Sequence, residues 1–231
     1  MIRLAFTVLT AAIATLLLSP FGILAWPLRR DGEAAFAITR LWARAILAAA
    51  SVRTTVEMLA PLPEGPVVFV SNHVSALDIP ILFRALPRSF RIVFKSSLLY
   101  VPLMGQFLAA GRHVSIDRSR AFSAKRSLEA AARRIHNGVS VALFPEGTRS
   151  GGATMGSFKR GSFKLAADAG VPVVPVSLIG LRGVVRGRSI TPGTVRIRIH
   201  EAIPTLDGGV ETHDELAARV QSIISREVME S

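Results

Sequence analysis

The chain has 231 residues, of which 28 are Lys or Arg and 16 are Asp or Glu, so its net charge at pH 7 is +12. It contains no cysteine, which excludes disulfides, thiolate nucleophiles and cysteine metal sites and leaves His, carboxylates and hydroxyls for any catalysis. Half of the residues are hydrophobic and the mean hydropathy is +0.42, a high value for a freely soluble protein. The length suits one compact domain with an appendage.

The positive charge favours an anionic membrane over nucleic acid as the partner. A basic field attracts nucleic acid, anionic lipid and acidic carrier proteins alike. The chain has one Tyr and two Trp, and we find no zinc-finger or RNP-type aromatic motif. Because the apolar residues are concentrated near the N-terminus, we expect an anionic membrane surface as partner and no nucleic acid.

The first predicted element is an apolar segment, residues 4–28, which contains no charged side chain and exceeds the roughly 20 residues that a spanning helix needs. Three interpretations compete. The segment could be a cleaved signal peptide, although such peptides are usually shorter. It could be a spanning helix, which would have to accommodate Pro20, Gly22 and Pro27. It could also be a helix that lies in, or re-enters, the cytoplasmic leaflet.

The charges that follow favour the third interpretation. Arg29 and Arg30 come directly after the apolar segment, and a second apolar helix is predicted over residues 33–52. If both helices crossed the bilayer, these two arginines would lie outside, against the positive-inside rule. Arg40 and Arg44 lie four residues apart, hence on one face of the second helix, as an interfacial amphipathic helix requires.

A cluster of proline and glycine at residues 61–66 marks the predicted domain boundary. We expect residues 1–60 to form two membrane-associating helices at the cytoplasmic face of the cell (inner) membrane, monotopic or with a single span, and we favour the monotopic anchor over a single span. Residues 61–231 then form an α/β domain.

Strand-like and helix-like patterns alternate through that domain. Strands are predicted at 67–70, 91–94, 113–116, 139–144, 171–178 and 194–201. Helices are predicted at 76–86, at 119–136 and after the capping box from Thr212 to Glu215. In the last strand Arg196, Arg198 and His200 alternate with apolar residues and are expected to face water. The fold class is therefore α/β, with a mixed sheet sandwiched by helices.

His73 lies in the turn between the first of these strands and the first of these helices, and Asp78 follows five residues later. This spacing is off-register for one face of a continuous helix, but a turn lets the carboxylate swing back to the imidazole. An Asp that binds one ring nitrogen fixes the tautomer and leaves the other nitrogen to take a proton. The alternative is that Asp78 caps the helix and His73 is a surface residue.

A second polar turn follows the strand predicted at 139–144. Gly147 allows the chain to bend, and Glu146 and Arg149 place a charge of each sign at the strand end. Arg149 could bind a phosphate through two donors, and Glu146 could orient it or bind an acceptor hydroxyl. Taken alone, this segment is more typical of an ordinary polar turn.

Two further cations are candidates for the same site. Arg118 follows the strand predicted at 113–116 and could bind phosphate, or pair with Asp117 on the surface. Lys159 belongs to the basic segment 158–161, which could add positive charge beside the site or could be the solvated start of a helix.

Four blocks in this order resemble the 1-acylglycerol-3-phosphate acyltransferase family, part of the glycerolipid acyltransferases. The blocks are 72–78, 111–118, 144–149 and 171–178, and the segment 95–105 resembles the family's linker into the second block. The resemblance implies a glycerolipid acyltransferase-like α/β fold docked on the membrane by N-terminal helices. It covers about 67–178.

By this resemblance His73 is the general base that deprotonates the acceptor hydroxyl, and Asp78 is its partner. The hydroxyl attacks the acyl thioester directly, without a covalent enzyme intermediate. The substrate-binding residues implied are Arg118, Glu146, Gly147, Thr148, Arg149 and Lys159. No metal and no cofactor are required, and acyl-CoA or acyl-carrier protein is the donor substrate.

The implied reaction acylates 1-acylglycerol 3-phosphate, a lysophospholipid acceptor, to phosphatidic acid. Two alternatives stay open. The same chemistry could act on another lyso-lipid, such as lyso-ornithine lipid, or the chain could be a non-catalytic basic module that binds anionic lipid. Since acyl-CoA carries phosphates and acyl-carrier protein is acidic, the positive surface would speed the approach of either donor.

Overall fold

A computed structural model describes residues 1–27, 31–116, 121–151, 154–205 and 212–229, with the backbone alone for residues 121–126. The helices are α1 (Ile2–Ala25), α2 (Glu33–Ala50), α3 (Asp78–Ala85), α4 (Met104–Ala110), α5 (Ala121–His136), α6 (Gly161–Ala169), α7 (Leu181–Val184) and α8 (His213–Met229). The strands are β1 (Val52–Met58), β2 (Val68–Ser71), β3 (Arg91–Lys95), β4 (Val114–Ile116), β5 (Val141–Leu143), β6 (Val173–Ile179), β7 (Val185–Arg186), β8 (Ser189–Ile190) and β9 (Gly193–Ile199).

Within the described residues the main sheet has seven strands in the order β1-β9-β6-β2-β5-β3-β4. Only the pairing of β6 with β9 is antiparallel among these neighbours, and the others are parallel. The predicted mixed α/β sheet is confirmed. Because β2, β3 and β5 run in the same direction, their carboxyl ends meet at one edge, where α/β proteins place reactive groups.

Helices cover both faces of this sheet. The hairpin of α1 and α2, together with α3 and α4, packs on one face, and α5, α6 and α8 pack on the other. In the first layer Phe36 of α2 contacts Phe83 and Phe90, with ring centroids 5.6 and 5.4 Å apart. The second N-terminal helix therefore belongs to the core of the domain as well as to the predicted anchor.

Strand β1 was missed by the sequence analysis. It lies within residues 1–60, which were expected to contain only the two helices, and it pairs in parallel with β9 at the sheet edge. Val52, Val56 and Met58 alternate with Arg53, Thr55 and Glu57, so a strand pattern is present, but the pairing partner that fixes it lies far along the chain. The division of the chain at residue 60 itself stays a prediction.

Helix α1 runs back along α2. The indole Nε1 of Trp42 donates to Thr15 Oγ1 at 3.0 Å, and the guanidinium of Arg3 donates to Ser51 Oγ. Among the described residues α1 is the one helix long and apolar enough to cross a membrane, and little of it is buried. This finding favours membrane association through α1, while the monotopic arrangement stays a prediction.

The helix α1 continues through Pro20 and Gly22 to Ala25, so both residues are accommodated. Gly22 allows a close approach to α4, because a Cβ there would lie 2.4 Å from the ring of Phe107 and would force that side chain to shift. The hairpin is thereby docked on α4 as well as on the sheet.

The predicted orientation of His200 was wrong. Arg196 is exposed and Arg198 is partly exposed, as expected, but His200 is buried and its Nε2 lies 2.9 Å from Ser177 Oγ. Helix α8 covers this end of the strand face, where Arg198 reaches Glu227 at 2.5 Å. Alternation in β9 identified the two faces, but it could not show which part of the polar face a distant helix covers.

Candidate active site

The turn between β2 and α3 brings His73 and Asp78 together. Nδ1 of His73 lies 2.5 Å from Oδ2 of Asp78, and the two side chains are 12% and 0% exposed. The same carboxylate accepts the N–H groups of Val74 at 2.7 Å and Ser75 at 3.0 Å. Asp78 thus both closes the turn, as a capping residue would, and holds the imidazole.

This arrangement can support general base chemistry. A carboxylate beside Nδ1 favours the tautomer that carries its proton there, which leaves Nε2 as the acceptor. Phe144 stacks on the imidazole, with ring centroids 4.0 Å apart and planes inclined by 13°. The ring of His73 is therefore fixed on its edge by Asp78 and on one face by Phe144.

Asn72 fixes the other side of the turn. It is buried, its Nδ2 donates to the carbonyl of Leu178 at 3.2 Å, and its Oδ1 accepts the N–H of Leu178 at 2.9 Å. The side chain replaces a missing pair of ladder bonds to β6. Asn72 had no predicted role, because its partner lies 106 residues away.

Glu146 joins the two polar turns. Its Oε1 accepts the N–H of His73 at 2.6 Å and its Oε2 accepts the N–H of Gly156 at 2.9 Å, and the side chain is buried. Nearby, the N–H of Ser150 donates to the carbonyl of His73 at 2.8 Å. Both carboxylate oxygens of Glu146 are thus engaged with backbone donors, and this residue does not line the cavity described next.

A cavity of about 810 Å³ begins at His73, and its walls include the N-terminal hairpin, α4 and the start of α6. Its polar lining includes His73, Lys95, Thr148, Arg149 and Lys159, and Gly147 lies beside them. Its apolar lining includes Leu18, Ile38, Trp42, Phe83, Phe107 and Leu165. One end of the cavity is therefore basic and the remainder is largely apolar.

Four of the predicted substrate-binding residues, Gly147, Thr148, Arg149 and Lys159, line this cavity together with His73. Gly147 has a φ of 76°, a left-handed conformation that favours glycine at this turn. Glu146 is placed behind the turn, and Arg118 lies outside the described residues.

Lys95 was named in the resemblance but received no role. It ends β3, and it reaches the cavity because the carboxyl ends of β2, β3 and β5 lie at one edge. The available signal was a lysine directly after a predicted parallel strand.

A second histidine also lines the cavity. His113 accepts the N–H of Ile92 on Nδ1 at 3.2 Å and is buried. Burial, together with the positive charges of Arg91 and Arg134, lowers the pKa of His113 to about 3. This imidazole is consequently neutral at physiological pH and serves as a buried acceptor.

Among the described residues no group of three or more His, Asp or Glu is placed to hold a metal ion. The expectation that neither metal nor cofactor takes part stays a prediction.

Comparison with known proteins gives consistent results. A family model described as Acyltransferase matches residues 53–179. A 1-acyl-sn-glycerol-3-phosphate acyltransferase of Chlamydomonas reinhardtii is 36% identical over 174 residues, which are 74% of this chain and 52% of that protein. A protein of the same name from Pseudomonas aeruginosa is 34% identical over 186 residues, 78% of this chain and 71% of that protein.

A solved structure is also similar, that of the 1-acyl-sn-glycerophosphate (LPA) acyltransferase PlsC from Thermotoga maritima. It has a TM-score of 0.83 and 25% sequence identity, and the match covers 99% of this chain and 94% of that one. By contrast, the chain spans about half the length of several curated relatives, including the algal protein.

Proposed function

The chain belongs to the acyltransferase family, and from that premise we propose that it transfers a fatty acyl group from a thioester donor to the sn-2 hydroxyl of 1-acylglycerol 3-phosphate, giving phosphatidic acid. One observation carries the proposal. The His73–Asp78 pair opens onto a cavity that is basic at that end and apolar beyond it. A lipid with a phosphate head and an acyl tail has the complementary distribution of charge.

In the proposed reaction His73 acts as the general base. Nε2 takes the proton of the acceptor hydroxyl while its oxygen attacks the thioester carbonyl, and the negative charge of Asp78 stabilises the imidazolium that forms. When the tetrahedral intermediate collapses, the C–S bond breaks and the imidazolium returns the proton to the leaving thiolate. The products are an ester and a free thiol, and no covalent enzyme intermediate is needed.

The basic end of the cavity would hold the acceptor's phosphate. Arg149 offers a planar fork of donors that suits two phosphate oxygens, and Lys95 and Lys159 supply further positive charge. The proposal retains Arg149 and Lys159 as phosphate ligands and adds Lys95. These cations favour a phosphorylated acceptor over lyso-ornithine lipid.

The apolar part of the cavity would hold an acyl chain. Its volume lies within the range of ligand pockets, roughly 300–1,000 Å³. Since α1 and α2 form part of its wall, a lipid could reach it from the leaflet with which α1 associates. We place the chain at the cytoplasmic face of the cell membrane, with acyl-CoA or acyl-carrier protein arriving from the aqueous side, attracted by the net charge of +12.

Glu146 is proposed as a positioning residue in place of its predicted role as a substrate ligand. It is buried behind the turn and its two oxygens hold the backbones of His73 and Gly156. A carboxylate in this place fixes the position of the His73 backbone relative to the turn that carries Arg149.

The test is an acyl-transfer assay on the purified chain in detergent. Radiolabelled acyl-CoA and acyl-carrier protein are each offered with a panel of lyso-lipids, and the product's sn-2 chain is released by a phospholipase A2. We expect labelled phosphatidic acid, with turnover reduced by about 10²- to 10⁴-fold in His73→Ala.

The matched control is His136→Ala, because His136 is exposed at the end of α5. It should retain wild-type turnover. Undiminished turnover in His73→Ala would exclude His73 as the base, and a preference for an acceptor without phosphate would exclude the proposed substrate.

A further inference from the structure

The segment between β3 and α4 exposes a patch of large apolar side chains. It contains a 3₁₀ helix, Ser96–Tyr100, and Tyr100 is 88% exposed, while Leu99 and Val101 are each 40% exposed. Single exposed apolar residues are ordinary on protein surfaces, but a contiguous group of them marks an interaction surface. We call residues 98–101 the apolar turn.

The backbone holds the apolar turn in place. A Cβ on Gly105 would lie 2.0 Å from the carbonyl oxygen of Leu99, so only glycine allows this approach. The N–H of Gly105 donates to the carbonyl of Val101 at 2.8 Å, and Leu103 has a left-handed φ of 63°. A non-glycine residue in this conformation costs energy, so the surrounding contacts must stabilise this shape.

The apolar turn adjoins both the cavity and the hairpin. Leu98 lines the cavity beside Met104 and Phe107 of α4, and Phe107 packs against Gly22 of α1. The outer side of α1 is itself apolar and exposed, with Phe6, Leu9, Ile13, Leu17 and Phe21 spaced three or four residues apart. The patch therefore lies beside the element that associates with the membrane.

We propose that the apolar turn is a second membrane contact, which inserts into the same leaflet as α1 and places the mouth of the cavity at the lipid surface. The inference deepens the proposed function, since it supplies the route by which a lyso-lipid enters. Lipid is the occupant that fits best. The patch is linked through α4 to α1, whose outer side is apolar, Tyr100 is of a residue type enriched at membrane interfaces, and exposed Lys95 can approach anionic headgroups.

The absence of cysteine allows a direct test by single-cysteine labelling. An environment-sensitive dye is attached to Tyr100→Cys, and the protein is reconstituted into phosphatidylcholine–phosphatidylglycerol vesicles. The matched control is Met229→Cys, because Met229 is also apolar and 75% exposed but lies on α8, on the opposite face of the sheet. Leu17→Cys on α1 reports membrane association itself.

We expect nitroxide groups on the lipid acyl chains to quench the dyes at positions 17 and 100, and aqueous iodide to quench the dye at position 229. If the dye at position 100 behaves like that at 229 while position 17 is quenched by lipid, the proposal is overturned and membrane association stands. If a soluble protein partner covers the turn instead, the dye at position 100 will be quenched by iodide in these vesicles.

A kinetic test separates this proposal from the proposed function. Tyr100→Asp should lower turnover on lyso-lipid presented in vesicles by about tenfold, because burying an aromatic side chain in lipid is strongly favourable. Turnover on a short-chain, water-soluble acceptor should match that of the wild type. Equal turnover of the wild type and Tyr100→Asp in vesicles would overturn the proposal. An inactive wild type would overturn the proposed function alone, and the labelling result would then decide whether the apolar turn inserts into the membrane.

Discussion

Among the described residues, two histidines have a hydrogen-bonded side-chain partner, and one of the two pairs opens onto a cavity. His73 is 2.5 Å from the carboxylate of Asp78, and His200 is 2.9 Å from the hydroxyl of Ser177. The first pair lines a cavity, whereas Ser177 is 0% exposed and His200 is buried next to it. The serine–histidine pair has the residue types of a nucleophile with its base. Because both side chains are buried, no substrate could reach them.

The position of each pair in the sheet explains the difference. His73 follows the carboxyl end of a central parallel strand, where neighbouring strand ends leave a crevice. Ser177 lies in β6, which α8 covers, and His200 directly follows β9, the antiparallel neighbour of β6. Burial is the main cause that lowers the pKa of His200, so its imidazole is neutral and acts as a structural hydrogen-bonding group. Access and a charged partner, rather than a hydrogen bond alone, distinguish a catalytic histidine.

The largest effect expected after loss of His73 is that of Asp78→Asn. The amide cannot stabilise an imidazolium, so we expect kcat to fall by about 10²- to 10³-fold. Since the carboxylate also accepts the N–H groups of Val74 and Ser75, stability should fall by about 1 kcal/mol. Steady-state kinetics and thermal unfolding check both. A loss of activity no larger than the loss of folded protein would contradict the role of Asp78 as partner of the base.

Glu146→Gln sharpens the distinction between a residue that positions His73 and one that binds substrate. The amide NH₂ would face a backbone donor, so the turn should shift and kcat should fall by about tenfold, with the acceptor KM within about twofold of the wild type. Arg149→Ala is the contrasting variant and should raise the acceptor KM more strongly than it lowers kcat. If Glu146→Gln chiefly raises the acceptor KM, Glu146 is a substrate ligand as the sequence first indicated.

Acid should lower the free energy of unfolding, because it protonates the buried histidines. A histidine whose pKa is lower in the folded state than in the unfolded state binds its proton more weakly in the folded protein. The free energy of unfolding therefore has its full value above about pH 6.5 and falls as the pH drops towards the pKa of the folded state. For His113, with a folded pKa of about 3, the loss between pH 6.5 and 5 is about 2 kcal/mol.

Unfolding by urea at several pH values measures this loss. His113→Asn keeps an acceptor for the N–H of Ile92 but has no titrating group, so its stability should depend less on pH. An unchanged slope in the variant would mean that other groups cause the acid sensitivity.

Ser177→Ala should have the smallest effect. Because Ser177 and His200 are buried, kcat should be unchanged. The lost hydrogen bond should reduce the free energy of unfolding by about 1 kcal/mol. A fall in kcat beyond that in folded protein would break the comparison and show that the second pair takes part in the reaction.

Much of the site could be predicted from local pattern. His73 lies after a short apolar strand, five residues before Asp78, and both the turn and its pairing were confirmed geometrically. The second polar turn also follows a strand, the resemblance assigned Arg149 to the same site as His73, and both residues line one cavity. The capping box of α8 was confirmed, with the N–H of Glu215 donating to Thr212 at 3.2 Å. These features depend on neighbours within a few residues.

The sequence by itself determined the alternation of strands and helices, the apolar first helix and the family, because each is written in short contiguous segments. Only the tertiary structure decided that β1 joins the sheet, that Glu146 lies behind the turn that carries His73, that Lys95 reaches the cavity and that His200 is buried. The physical reason is that the surroundings of a side chain are set by elements distant in the sequence. Glu146 and His73 are separated by 73 positions, and no local periodicity records which backbone donors a buried carboxylate will meet.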